Sequence, residues 1–225
     1  MRIGEPNTKN TTSCFSKAYW GYEDIGIFLV FATLLGPGIR LLVHRHLLPR
    51  SAIANPSAAV QFGAIALLSC ALYTILKVRY RRAVFVPLGW IVPGFIYGVV
   101  SVLLGVGFGC AVALYFPGIN QTLSHYVFDE LLLAAVFGPL LEESFFRGCL
   151  LPLLAQTSGK AAAVIVTALA FALFHSPADV DHWAWLTLTG LAYGWLRLAS
   201  GSTTAAAIMH GCYNLTLFGM VGLSP

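Results

Sequence analysis

The chain is poor in charged residues. Lys, Arg, Asp and Glu together make up only 10% of its 225 residues, whereas hydrophobic residues make up 58%. Because a soluble domain carries about 25% charged residues, this composition excludes a protein whose whole surface faces water. The mean hydropathy of +0.78 points the same way. We therefore predict the all-α class: a polytopic membrane helix bundle of about seven or eight transmembrane helices, each needing roughly 20 residues.

The chain also lacks a strong charge bias and any paired cysteine motif. Its formal net charge is +4, and the basic residues lie near predicted helix ends, so we expect membrane lipid and not nucleic acid as a partner. The basic run within 77–82 predicts a cytoplasmic loop. The five cysteines are scattered and odd in number, which favours small buried side chains over disulfides or metal ligands.

Hydropathy divides the chain into three parts. Residues 1–24 are polar and are predicted to form an N-terminal tail, without the apolar core of a cleaved signal peptide. Residues 25–124 are predicted to form N-terminal transmembrane helices, and residues 125–222 a second helical group. The individual spans are predicted at 25–43, 58–76, 91–116, from about 127 onward, and at 161–175, 182–199 and 203–222. The apolar piece 145–156 leaves their number open.

One charged stretch lies within this apolar background. Glu142, Glu143 and Arg147 stand between two apolar segments, 131–139 and 148–154. Charge taken out of water is costly unless it is paired or used. On a helix, Glu143 and Arg147 are four residues apart and can pair, whereas Glu142 points about 100° away from Glu143. We therefore predict that Glu142 does chemistry while Glu143 and Arg147 support the helix.

The residues just before the glutamates predict an irregular backbone. Gly138 and Pro139 precede Glu142 closely, and proline removes a helical hydrogen bond. We expect a kink or break here, with the carboxylates in the first turn of a new helical piece. Irregular backbone at membrane depth is tolerated inside protein or beside a water-filled cavity, so we expect a polar intramembrane cavity at the glutamates.

The later spans carry further polar groups and a pair of glycines. His175 ends an apolar run that contains Phe171, and His210 and Asn214 are four residues apart on one helical face. Taken alone, His175 is more often an interfacial residue than a catalyst, and the pair of His210 and Asn214 is often only an interhelical hydrogen-bonding device. Gly190 and Gly194 form a small-xxx-small pair that lets two helices pack closely. Arg197, near a span end, is expected to extend to the lipid headgroups.

Taken together, these groups are the components of a hydrolytic site. A carboxylate with a histidine can take a proton from water, as Glu142 and His175 could. A second histidine and an amide, such as His210 and Asn214, can donate hydrogen bonds to an oxyanion. The set Glu142, His175 and His210 could instead hold a zinc ion with an open position. The chain lacks HExxH, so a zincin-like site is not supported, and no cofactor is clearly required.

The order of these motifs resembles that of the CPBP intramembrane proteases. This family includes the CAAX prenyl proteases of the Ras-converting type and abortive-infection-like bacterial relatives. The resemblance covers roughly residues 125–220 and implies a helical catalytic core around a conical cavity that opens to the cytosol. It rests on Glu142-Glu143-x-x-x-Arg147, Phe171-x-x-x-His175, the Gly190/Gly194 pair and His210-x-x-x-Asn214.

The resemblance also implies a role for each motif residue. Glu142 and His175 would activate water, His210 and Asn214 would stabilise the oxyanion, and Glu143, Arg147 and Phe171 would support them. Members are often labelled metalloproteases, yet a metal-free glutamate mechanism is also argued for the family. Both mechanisms remain open at this point.

We therefore expect an integral, multi-pass endopeptidase that hydrolyses a peptide bond in a membrane-anchored or lipid-modified protein or peptide, with a prenylated CaaX protein among the candidates. It would lie in the plasma membrane of a bacterium or the endoplasmic reticulum membrane of a eukaryote. Two alternatives are a non-catalytic membrane immunity or binding protein and a proton-coupled transporter. The transporter predicts paired discontinuous helices, whereas the sequence contains a single glutamate-bearing break.

Overall fold

A computed structural model describes residues 18–49, 58–115, 131–175, 177 and 179–222. Every regular element within these ranges is helical, so the predicted all-α class is confirmed. The fourth helix joins four consecutive segments, Leu133–Phe137, Gly138–Glu143, Ser144–Leu150 and Leu151–Ser158. The described helices are α1 (Tyr22–His44), α2 (Ala58–Tyr80), α3 (Phe95–Tyr115), α4 (133–158), α5 (Lys160–Phe174), α6 (Val180–Ser200) and α7 (Thr203–Gly222).

Three of the described helices are long and apolar enough to cross a membrane. They are Tyr22–His44, Val60–Tyr80 and Phe95–Tyr115, and α5 is a shorter apolar helix. In the apolar window of α1 only 11% of the residues are buried within the chain. Such exposed apolar surface requires lipid around it. The chain is therefore an integral membrane protein, as its composition predicts, while the number of its spans stays a prediction.

The helix bounds differ from the predicted spans at their polar ends. α1 begins at Tyr22 instead of residue 25 and continues through Pro37, and α3 begins at Phe95 instead of residue 91. The first turn of α1 contains Asp24, whose carboxylate accepts a hydrogen bond of 2.8 Å from the backbone N–H of Gly21. A carboxylate is favourable at a helix N-terminus, and hydropathy does not register this preference.

Part of the predicted tail packs into the fold. Trp20 is only 3% exposed, and its indole N–H donates to the carbonyl oxygen of Cys149 in α4 at 3.0 Å. Asp24 pairs with Arg79 of α2 at 3.1 Å and accepts a hydrogen bond from Tyr80 at 2.6 Å. The start of α1 is thus tied to α2 and to the back of α4. The start of the fourth span, predicted near residue 127, lies outside the described residues.

Helices α3 and α7 pack closely through small residues. A Cβ atom at Gly105 would overlap the carbonyl oxygen of Met209, and one at Gly109 would lie 2.7 Å from Cβ of Thr216. Both glycines are buried. Because α7 also carries His210 and Asn214, this contact helps to set where those two side chains lie.

Replacement of Gly105 by alanine tests this contact. The Cβ overlap should force the helices apart and lower the free energy of unfolding by about 1–3 kcal/mol. Gly107→Ala in the same helix is the matched control, since a Cβ there meets no atom of the described residues within 4 Å, and it should be neutral or stabilising by up to about 1 kcal/mol. Denaturation in detergent micelles measures both. Equal stability of the two variants would contradict the close packing.

Candidate active site

A kink or break is predicted at Gly138 and Pro139, and a break is wrong, because the glutamates lie on a helix that continues through both residues. Phe137 and Gly138 both have right-handed helical dihedral angles, with φ −73°, ψ −40° and φ −58°, ψ −57°. The irregularity takes the form of two wide π-helical stretches, Leu133–Phe137 and Ser144–Leu150. The carboxylates end the short α-helical segment between these stretches instead of opening a new helix.

The first wide stretch accommodates Pro139 through a side chain from α7. The N–H of Gly138 bonds to the carbonyl of Leu133, five residues earlier. In the same register Pro139 would face the carbonyl of Ala134, but proline has no N–H. The amide nitrogen of Asn214 donates to that Ala134 oxygen at 2.6 Å. Asn214 therefore supplies the hydrogen bond that Pro139 cannot.

The second wide stretch repeats this arrangement with Arg197. The N–H of Leu151 bonds to the carbonyl of Phe146, five residues earlier, so Pro152 would face the carbonyl of Arg147. The Nε of Arg197 donates to that oxygen at 3.3 Å. Arg197 is only 2% exposed, so its expected extension to the headgroups is wrong. Carbonyls freed by proline in a membrane helix are satisfied by neighbouring helices, and this need draws Arg197 inward.

Glu143 forms a buried cluster with a cation and a histidine. Glu143 and Arg147 are both 0% exposed, and Nη1 of Arg147 lies 3.0 Å from Oε1 of Glu143. The Nδ1 of His210 lies 3.0 Å from the same oxygen, and Nη2 of Arg147 donates to the carbonyl of Gly190 at 3.0 Å. Spacing predicts the pair with Arg147, but the contact with His210 arises only from the packing of α7 on α4.

Glu142 faces a different environment, as its position on the helix predicts. Its Oε2 lies 3.6 Å from Nε2 of His175 and 3.9 Å from Nε2 of His210. These separations are too long for direct hydrogen bonds and are the kind that a bridging water spans. The same Oε2 atom is buried and has no hydrogen-bond partner among the described residues. A water or a substrate group is therefore expected beside it.

The hydrogen bonds of the two histidines define which nitrogen faces Glu142. Nδ1 of His175 lies 2.8 Å from the carbonyl oxygen of Phe171, and a carbonyl only accepts, so Nδ1 carries the hydrogen. Nδ1 of His210 likewise donates to the carboxylate of Glu143. In their neutral forms both rings turn the Nε2 lone pair toward Glu142. The two Nε2 atoms and the carboxylate of Glu142 are then all hydrogen-bond acceptors. A proton or a water molecule that donates hydrogen bonds can lie between them.

Phe171 lies among the site residues and is only 1% exposed. Its ring centroid is 4.4 Å from that of His175 and 5.7 Å from that of His210. The guanidinium carbon of Arg147 lies 4.7 Å from the same ring centroid. The aromatic ring thus separates the buried cation from the cavity while it contacts both histidines.

The predicted glycine pair lies where α6 meets α5. A Cβ at Gly190 would be 3.0 Å from Cα of Ala168, and one at Gly194 would be 3.1 Å from Cγ1 of Val164. The close approach also brings the Gly190 carbonyl to Arg147. These contacts hold α6 against the helix that carries His175.

A cavity of about 410 Å³ opens onto these groups. Its walls include five site residues predicted from the sequence: Glu142, Phe171, His175, His210 and Asn214. Tyr193 and His182 are among the lining residues that motif reasoning missed. Tyr193 stands between Gly190 and Gly194, and that position is the one sequence signal that could have revealed it. His182 lies in the first turn of α6 and has no such signal.

A metal site is not shown among the described residues. No group of three His, Cys, Asp or Glu side chains within the described ranges is arranged to hold a metal ion. We therefore derive no step through a metal.

A glutamate and two imidazoles around a cavity inside a helical membrane protein define a class of sites that can activate water. The family model described as "Type II CAAX prenyl endopeptidase Rce1-like" matches residues 124–216. This segment carries all of the motif residues, and its match to the Rce1-like family of CAAX endopeptidases confirms the family resemblance. The family supports membrane protease activity in general. Comparison with curated proteins and with solved structures gave no match.

Replacement of Glu143 by glutamine tests the buried cluster. The change should leave Arg147 without a counter-charge and lower the free energy of unfolding by about 3–5 kcal/mol. It should also impair activity, because His210 loses the carboxylate that orients its ring. Glu23→Gln is the matched control, since the side chain of Glu23 is 64% exposed beside Arg79 and such pairs contribute about 0–1 kcal/mol. Denaturation curves of both variants measure the free energy of unfolding. A normal stability of Glu143→Gln would refute the stabilising role of Glu143 in the buried cluster.

Proposed function

We propose that the chain is an intramembrane endopeptidase that hydrolyses a peptide bond in a membrane-anchored or lipid-modified protein or peptide. One observation carries the proposal: Nε2 of His175 and of His210 converge on Oε2 of Glu142, at 3.6 and 3.9 Å, beside a cavity. Within the described part of the chain this oxygen has no hydrogen-bond partner. The match of the surrounding segment to an endopeptidase family supports the reaction class.

The proposed reaction proceeds by direct attack of water. A water bound between Glu142 and His175 loses a proton to this pair as its oxygen bonds to the scissile carbonyl carbon. For this step His210 carries a second proton, on Nε2, while its Nδ1 still donates to Glu143. The oxyanion that forms accepts hydrogen bonds from this Nε2 and from the second N–H of Asn214. As the tetrahedral intermediate collapses, the C–N bond breaks and the proton passes to the leaving amine. The products are a carboxylic acid and an amine, with no covalent enzyme intermediate.

The substrate class follows from where the site lies. The cavity combines the polar groups with apolar lining side chains, including Leu186 and Leu217. A substrate could keep an apolar anchor in lipid while its scissile bond reaches Glu142. The family description makes a prenylated CaaX terminus the first candidate. We further propose a multi-pass arrangement with the basic run 77–82 on the cytosolic side.

The transporter and binding alternatives gain no support. Transport sites of this kind are built from discontinuous helices, whereas α4 is continuous from 133 to 158. A binding protein would not need an unbonded, buried carboxylate oxygen between two imidazole nitrogens. Such an oxygen is costly unless it is used.

The first test compares cells that express the wild type or Glu142→Gln. Loss of the proton acceptor should reduce hydrolysis by at least about 10²-fold. The fold should be retained, because the Oε2 atom of Glu142 has no hydrogen-bond partner among the described residues. His175→Ala should behave alike. Termini of membrane proteins and peptides are mapped by mass spectrometry at matched expression, and fragments present only with the wild type identify the substrate.

Two variants serve as controls in this comparison. Glu23→Gln removes an exposed carboxylate and His44→Ala an exposed histidine. Both should give the wild-type fragments. Full hydrolysis by a well-folded Glu142→Gln protein would exclude the proposed mechanism.

The role of Asn214 can be separated from its bond to Ala134. Asn214→Ala should slow hydrolysis about 10²–10³-fold if the amide donates to the oxyanion, and it should also destabilise the protein by about 1–3 kcal/mol through the orphaned carbonyl. Adding Pro139→Ala restores a backbone N–H that can bond to Ala134. The double variant should therefore regain stability but not activity.

Both quantities are measured on the same purified proteins. Pro139→Ala alone is the control and should be active. If the double variant recovers activity together with stability, Asn214 is a structural residue and the oxyanion role is refuted.

A further inference from the structure

Tyr193 is a buried aromatic residue of α6 that no motif includes. Only 1% of it is exposed, yet it lines the same cavity as Glu142 and His210. It lies between Gly190 and Gly194, whose missing side chains let α6 approach α5. The close approach therefore brings this ring into the site.

The ring of Tyr193 stacks on the imidazole of His210. The two centroids are 4.8 Å apart and the planes differ by 18°, an offset stack in the range that aromatic pairs prefer. Tyr193 is itself held in place. Phe171 meets it edge-on at 5.9 Å and 85°, and the guanidinium carbon of Arg147 lies 5.1 Å from its centroid. The Tyr193 ring on which His210 stacks is thus fixed by its own contacts.

This stack supplies an orientation that the hydrogen bond of His210 does not. Nδ1 of His210 is held by Glu143 at 3.0 Å, a single contact about which the ring could turn. Stacking on Tyr193 fixes the plane of the ring. Nε2 then faces Oε2 of Glu142 at 3.9 Å. Two constraints together determine where the reacting nitrogen points, and small errors in such a direction slow catalysis.

We propose that Tyr193 is a positioning residue for hydrolysis, acting through His210 by holding the plane of its imidazole. The inference rests on the proposed function, because His210 is the group that Tyr193 positions. The aromatic face of Tyr193 holds the imidazole plane, and the hydroxyl is not needed for this. Phenylalanine at position 193 should therefore preserve the role, whereas an aliphatic side chain should not.

Kinetics of the full chain in lipid nanodiscs test the proposal, with an internally quenched farnesylated CaaX peptide as the probe. Tyr193→Phe should stay within about 3-fold of wild type. Tyr193→Leu should lose about 10- to 100-fold in kcat with little change in KM, because orientation is lost and not binding. Trp195→Leu is the matched control on the same helix, since Trp195 is 52% exposed, and it should behave as wild type.

A double variant asks whether Tyr193 acts through His210. In a His210→Ala background, Tyr193→Leu should cause no further loss, since there is no imidazole left to position. An equal further loss in that background would overturn the proposal. So would a Tyr193→Phe variant as slow as Tyr193→Leu, because the hydroxyl would then be the active group.

A magnetic resonance measurement tests the stack without any substrate. The Cε1 proton of His210, assigned by its loss in His210→Gln, should be shifted upfield by the Tyr193 ring. The shift should persist in Tyr193→Phe and vanish in Tyr193→Leu; Tyr193→Met, whose flexible side chain fills irregular gaps, replaces the leucine variant if that fails to fold. An unchanged resonance overturns the stack, whereas a wild type that cleaves nothing overturns the proposed function, so the two failures are distinguishable.

Discussion

The site depends on one constraint, the need to satisfy every carbonyl of α4 although two prolines lie within it. Pro139 and Pro152 each follow a wide turn in which N–H groups bond five residues back. The carbonyl that each proline leaves without a backbone donor accepts instead from a side chain, Asn214 of α7 or Arg197 of α6. An unsatisfied carbonyl is costly in an apolar interior, so the prolines hold three helices in register around the glutamates.

The two adjacent glutamates differ in role because they face different surroundings. Glu143 points into the packed interior, where Arg147 and His210 share one of its oxygens at 3.0 Å each. Glu142, about 100° further round the helix, points to the cavity and meets only the two Nε2 atoms at longer range. Chemically identical side chains thus become a structural anion and a candidate base, because their surroundings differ.

The sequence predicted those features that depend only on residues close together in the chain or on overall composition. The Glu143–Arg147 pair follows from a separation of four residues, and the all-α membrane class follows from composition, so both were accessible from the sequence. The contact of Glu143 with His210 joins residues 67 positions apart and has no local signature. The break expected at Pro139 and the exposure expected for Arg197 failed for a shared reason: single-helix reasoning does not include donors from neighbouring helices, which keep α4 continuous and draw Arg197 inside.

His210 contacts both the packed helix interface and the candidate site. Its Nδ1 anchors to the buried ion pair, its ring stacks at 4.8 Å on Tyr193, and its Nε2 faces Glu142. These contacts come from α4 and α6, and α7 is itself held by α3 through Gly105 and Gly109. A shift of any of these helices would turn the imidazole before it unfolded the protein. The geometry of the candidate site should therefore be more sensitive to helix packing than stability is, since in enzymes orientation errors of about 1 Å cost up to 10²-fold in rate.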